Sequence, residues 1–143
     1  MILVDTNVIS DLMRPRPSPQ VLAWFGNKDA SALYLSAVGE AELRRGAMLL
    51  PDGRRRYSLL SEIDAMVAED FAGRVLPINS AAAVAFAAIF VDRRSAGRPI
   101  SIPDCQIATT ARAHGTAIAT RNVADFEGCG VEVIDPWKNA GGA

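Results

Sequence analysis

Histidine is nearly missing from this sequence. His114 is the only one among 143 residues, and the two cysteines, Cys105 and Cys129, share no CxxC or other metal-binding spacing. A Ser-His-Asp or Cys-His system would have to recruit His114, yet no nucleophile motif surrounds Cys105 or any serine. Glycine-rich phosphate loops of the GxxxxGK or GxGxxG kind are absent too. Aromatic residues are only 6% of the chain, so the stacking surfaces on which single-stranded bases usually rest are scarce. Lysine is scarce as well: of fifteen basic residues only Lys28 and Lys138 are lysines, and the rest are arginines. The net charge of −1 gives no general attraction to nucleic acid, so any polyanion must be held by a local patch. The longest apolar run, Ala81 to Val91, stops at Asp92-Arg93-Arg94, short of the roughly 20 residues that cross a bilayer. With no basic leader at the start, the expectation is a reduced, cytoplasmic protein whose cysteines are small core residues.

What is present reads as one folded domain over 1–137, followed by a flexible tail at 138–143. Short apolar segments, "ILVD", "ALYLS", "RVLPI", "TAIAT" and "VEVI", alternate with stretches of helical periodicity. That order predicts an α/β fold, a three-layer α/β/α sandwich around a mostly parallel sheet of about five strands. Helices are expected over 6–14, around 21–25, after Ser36 as a cap, from the "PDG" turn to about Phe71, after Ser80 as a cap, and from Pro103 to "RAHG". The segment "AAAVAFAAIFVDRR" is apolar nearly all round. It is expected either to be covered on several sides or to serve self-association.

In open parallel sheets, sites form in the crevice beyond the carboxyl ends of the strands. Asp5 ends the first strand, Glu42 lies about two turns into the helix after the second, and Asp104 falls in the first turn of the helix before the fourth. Thr120, Arg121 and Asn122 leave that fourth strand. Singly, Asp5 and Asp104 are explained as acids favoured at helix N-termini. Glu42 is mid-helix, where capping cannot account for it; its plain alternative is a surface pair with Arg45. Three carboxylates in one crevice would repel one another. Two unit charges about 4 Å apart interact at roughly 4 kcal/mol at an effective dielectric of 20, and a divalent cation removes that cost. An all-oxygen set favours Mg²⁺ or Mn²⁺ over Zn²⁺, which suits hydrolysis of a phosphodiester by activated water. A phosphohydrolase or phosphotransferase working through an Asp5 aspartyl-phosphate is the alternative. Against it, Asn7 replaces the usual second acid and no lysine follows a core strand.

Four segments, "LVDTNVIS", "LSAVGEAELRRG", "SIPDCQIA" and "ATRNVADFEGCGVEVIDPW", occur in an order and at intervals that resemble PIN-domain ribonucleases of the VapC toxin type, in the style of the FitB-like branch. The similarity runs from Met1 to about Trp137. It implies a divalent-metal-dependent endoribonuclease, the toxin of a type II toxin–antitoxin pair, with Asp5, Glu42 and Asp104 as the catalytic, metal-binding acids. Thr6 and Asn7 would hold the Asp5 carboxylate, while Thr120 and Arg121 border the crevice, Arg121 toward a backbone phosphate. Where many members carry a fourth acid this chain has Asn122. Either the carboxamide orients water or substrate, or Asp125 contributes from the next turn; a catalytically silent PIN-fold binding module stays open for the same reason. Arg14, Arg16 and Arg54–Arg56 either extend an RNA path or form a solvated face. The resemblance also implies a small VapB-type antitoxin inserted into the acidic crevice, an RNA substrate, a homodimer within a hetero-oligomer, and no membrane.

Overall fold

Strand β1 (Ile2–Val4) is three residues of unbroken apolar side chains, and both of its edges are taken. It pairs in parallel with β2 (Leu33–Ser36) on one side and with β4 (Ala117–Ala119) on the other. β3 (Val75–Leu76) continues from β2, and β5 (Val133–Ile134) from β4. The order β3-β2-β1-β4-β5 is parallel at every step, where a mostly parallel sheet was expected. The computed structural model describes residues 1–138. The expected tail beyond Lys138 lies outside the described residues.

Alternate side chains of these strands go to opposite faces, which makes two cores. Val4, Leu33, Leu35 and Ala119 face one side, with Val8 and Ile9 of α1 (Thr6–Leu12), Trp24 of α2 (Pro19–Gly26), Leu43 of α3 (Ala37–Met48) and Ile63 of α4 (Arg54–Ala65). Leu3 and Ile118 face the other, with Ile89 of α5 (Ser80–Ser95), Ile107 of α6 (Ile102–His114) and Phe126 of α7 (Val123–Phe126). The expected three layers are present. Cys105 and Cys129 are buried free thiols in the second core.

Several boundaries differ from the sequence expectation. α1 stops at Leu12, because Asp11 turns inward and binds the amide and hydroxyl of Ser18, both at 2.9 Å, drawing the proline-rich loop back over the helix end. The cap of α5 is Asn79, whose side chain accepts from the Ala82 amide at 3.0 Å, and Ser80 is the first helical residue. α4 ends in a π-helical turn, Met66–Asp70, rather than running straight to Phe71. Of the two expectations for α5, coverage on several sides within the chain is not met. The helix buries Ala82, Ile89 and Arg93 but leaves Val84 73% and Val91 57% exposed, so one apolar face is uncovered in the single chain. α5 is an outer-layer helix with α6 beneath it, and no element among the described residues lies above it.

Candidate active site

β1 is where the strand order reverses: β2 and β3 were added on one side, β4 and β5 on the other. The crevice between the diverging loops after β1 and β4 is the natural place for a ligand in such a sheet. Asp5 and Thr120 are the first residues past those two strands. They meet there: the Thr120 hydroxyl donates to Asp5 Oδ2 at 2.8 Å. The Asn7 amide nitrogen donates to the same oxygen at 3.3 Å and to Thr120 Oγ1 at 3.1 Å. On the other oxygen, Oδ1 accepts from the Thr6 amide at 2.8 Å and its hydroxyl at 3.3 Å. Asp5 is thus the N-cap of α1 and, at once, a carboxylate held in a fixed orientation by partners from both ends of the chain. The capping explanation and the chemical one coincide.

Glu42 comes from the interior of α3, whose start Ser36 fixes by accepting from the Gly39 amide at 2.8 Å. Gly39 has a steric task. A Cβ there would lie 3.0 Å from Ser36 Oγ and 3.3 Å from Leu35 Cδ1, with Thr6 Cγ2 at an ordinary 3.6 Å, so glycine lets the first turn of α3 pack tightly onto the end of β2. Glu42 Oε1 is buried with no hydrogen-bond partner, and no ion pair to Arg45 exists among the described residues. The surface-pair explanation of Glu42 therefore fails. Asp104 is the third residue of α6, and its amide donates to the Ser101 cap at 3.2 Å.

Burial raises the pKa of all three acids. For Asp5, burial outweighs the bonds from Thr120 and Thr6, and the Asp104 charge adds to the rise. For Glu42, burial is joined by the charges of Asp5 and Asp104, with Arg45 opposing. For Asp104, burial and the charge of Asp125 raise it, while Ser101 and Arg93 oppose. The three carboxylates share one field. They do not form a closed cage, however: among the described residues no three His, Cys, Asp or Glu side chains are arranged to grip an ion outright. A tighter gathering of the three acids is what the sequence predicts. Mg²⁺ suits the looser arrangement, since it keeps several waters and takes one or two carboxylates plus substrate phosphate rather than an all-protein shell. The orphaned Glu42 oxygen and the all-oxygen set fit such an ion, so the residues that would hold it are Asp5, Glu42 and Asp104.

The remaining expected residues divide. Thr6, Asn7 and Thr120 are in the Asp5 network, Thr120 as a direct donor rather than a rim residue. Asn122 stands at the cap position of α7, exposed, and its side chain makes no capping bond. Asp125, also exposed, acts on Asp104 through its charge. Arg121 is exposed; its amide donates to Asn7 Oδ1 at 3.3 Å, and its guanidinium lies 5.0 Å from the centre of the Trp137 ring.

Two residues were missed. Trp137, anchored by its indole N–H to Ser18 Oγ at 3.3 Å, is the surface on which Arg121 rests; the "DPW" at the end of the closing motif was its only signal. Arg93 is 6% exposed, and it donates to the carbonyls of Arg98 and Asp125 (both 2.6 Å) and Glu127 (3.0 Å). It ties α5 to α7, which carries Asp125. In the sequence it read as one more basic residue at a helix end.

Comparison with known proteins shows the family. The chain matches the PIN-domain family profile over residues 2–127. It is 41% identical over 140 residues to the VapC ribonuclease Y4jK of Sinorhizobium fredii, covering 98% of this chain and all of that one. It is 39% identical over 139 residues to the toxin FitB of Neisseria gonorrhoeae, covering 97% and 100%. Among solved structures, FitAcB from Neisseria gonorrhoeae superimposes with a TM-score of 0.90 at 39% identity, over 96% of this chain and 99% of that one. With the profile spanning most of its length and two relatives near 40% identity, the chain belongs to the PIN-domain family, alongside toxins of the VapC and FitB type.

Proposed function

We propose that this protein is a divalent-metal-dependent endoribonuclease and the toxin of a type II toxin–antitoxin pair. The observation that carries the reading is the convergence of Asp5, Glu42 and Asp104 at the switch point of the sheet, with burial and mutual repulsion raising their pKa values and Glu42 Oε1 left without a partner. Mg²⁺ or Mn²⁺, when bound, supplies neutralising charge and acidified water for attack on a phosphodiester. The chain's own residues do the rest. Thr120, Asn7 and Thr6 hold Asp5 in one orientation, and Glu42 and Asp104 face the same space from α3 and α6. Arg121 offers a guanidinium to a substrate phosphate, steadied by Trp137. The relatives' names, VapC ribonuclease and toxin FitB, support the activity and the toxin role. The similarity to FitAcB and to FitAB bound to a DNA fragment supports a small antitoxin partner, and an acidic crevice is a natural receptor for an arginine that such a partner inserts. The uncovered apolar face of α5 supports a homodimer.

An aspartyl-phosphate mechanism fits poorly. Both Asp5 oxygens are engaged by donors, and its network contains no lysine. The test incubates purified full-length chain, free of any antitoxin, with cellular RNA in Mg²⁺ or EDTA, beside Asp5→Asn and Asp104→Asn. Cleavage by the wild type in Mg²⁺ alone is expected. Identical RNA patterns in all lanes would end the nuclease reading and leave a silent binding module.

A further inference from the structure

The acid crevice does not end at Glu42. From Thr6 and Glu42 a groove of about 900 Å³ runs between α1, α3 and α4, floored by Met13, Leu43, Leu59 and Ile63. Four arginines line it: Arg14, Arg45, Arg54 and Arg55. Arg14 is already paired with Asp11 at 3.2 Å. Arg45, Arg54 and Arg55 are exposed and form no ion pair among the described residues. Glu62 is the one acid on the walls besides Glu42. Three unpaired guanidinium groups thus border a channel opening directly onto a carboxylate centre, in a chain whose net charge is −1. Arg16 and Arg56, which the sequence grouped with them, do not line it.

We propose that this groove carries the single-stranded RNA on one side of the scissile phosphate, its phosphates held by Arg45, Arg54 and Arg55 and its bases lying toward the apolar floor. The proposal rests on the ribonuclease reading and adds to it the path of the strand. Charge complementarity favours this occupant. Guanidinium groups bind phosphate oxygens in a planar, bidentate manner, and a polyanion approaching an acidic centre needs a local cationic guide that the whole molecule does not supply. Single-stranded RNA also presents its bases free to leave the stack and contact protein. Substrates held only at the cleaved phosphate would gain nothing from arginines along α3 and α4.

The test measures binding of a short fluorescein-labelled RNA of mixed sequence by anisotropy, in Mg²⁺, on the full-length Asp104→Asn chain so that the probe stays whole. Into that background go Arg45→Gln, Arg54→Gln and Arg55→Gln together, and separately the same three positions as lysine. The glutamine variant is expected to bind roughly tenfold more weakly or worse, with a salt dependence shallower by about 2 in log–log slope, at roughly 0.7 per lost phosphate contact. The lysine variant keeps the charge and is expected to keep the slope, which a merely structural role would not predict. Equal affinity and slope in the glutamine variant, while the wild type cleaves RNA, would overturn the groove and spare the nuclease reading. Loss of binding in that variant, while the wild type leaves RNA intact, would support the groove and end the nuclease reading.

Discussion

Asp5 spends both carboxylate oxygens on its own orientation, and Thr120 gives the shortest side-chain bond to it. Thr120 has no exposed surface and no other acceptor within its network. Thr120→Val keeps its shape and removes both the donor to Asp5 and the acceptor of the Asn7 side chain and the Asn122 amide; it is expected to lower metal-dependent cleavage by roughly 10- to 100-fold, the usual effect of losing a group that orients a metal ligand. Steady-state cleavage rates against Mg²⁺ concentration check this, and a rate equal to wild type at limiting Mg²⁺ would count against it. The raised pKa values of Asp5, Glu42 and Asp104 have a consequence for stability. A carboxylate whose folded pKa is raised stabilises the fold fully below its unfolded pKa and loses that contribution as pH rises through the folded value. In EDTA the protein is therefore expected to melt higher as pH falls from neutral toward the ordinary carboxylate range. Asp104→Asn should raise the neutral-pH melting temperature and flatten the trend. Added Mg²⁺ should stabilise wild type at neutral pH and Asp104→Asn much less. Scanning fluorimetry reads all three.

Among the elements, two contacts set where the acids sit. Gly39 lets α3 pack onto the end of β2, the placement from which Glu42 and Asp5 feel each other's charge. Gly39→Ala places a methyl 3.0 Å from Ser36 Oγ and 3.3 Å from Leu35 Cδ1, so those side chains or α3 give by a few tenths of an ångström; weakened cleavage with a stable fold is the expected result. At the other edge, Arg93 binds three carbonyls around α7. Its truncation to methionine removes three hydrogen bonds from a charged donor to partly buried carbonyls, at about 1–3 kcal/mol in urea denaturation. A change below about 0.5 kcal/mol would show that water replaces the guanidinium without loss. Neither contact was legible in the sequence. A glycine in the first turn of a helix and an arginine near the end of another are common, and what distinguishes these two is which element lies opposite.

For the molecule as a whole, the open question is what meets α5. Its uncovered face carries Val84 and Val91, one helical side in a segment whose apolar character suggested either burial or association. Placing a charge there, Val84→Glu with Val91→Glu, touches no core residue. It is expected to convert a dimer into a monomer in sedimentation equilibrium while the melting temperature of the monomer stays near that of the parent. A wild-type protein that sediments as a monomer at all concentrations would remove the premise.

The order of strands and helices, the layer architecture and the three acids were legible in the residues, because apolar period, caps and the crevice rule act locally or through topology alone. Ser36 at the head of α3 and Gly115 at the end of α6, with φ +68°, lie where their chemistry demands. Tertiary structure decided what depends on facing surfaces: that Thr120 bonds Asp5 across 115 positions, that the carboxylates share a field without closing into a cage, and that Arg45 joins Arg54 and Arg55 along one groove while Arg16 and Arg56 point elsewhere. Sequence spacing fixes which side of its own element a residue occupies, but the partner on the opposite wall comes from another part of the chain, and only packing brings the two together.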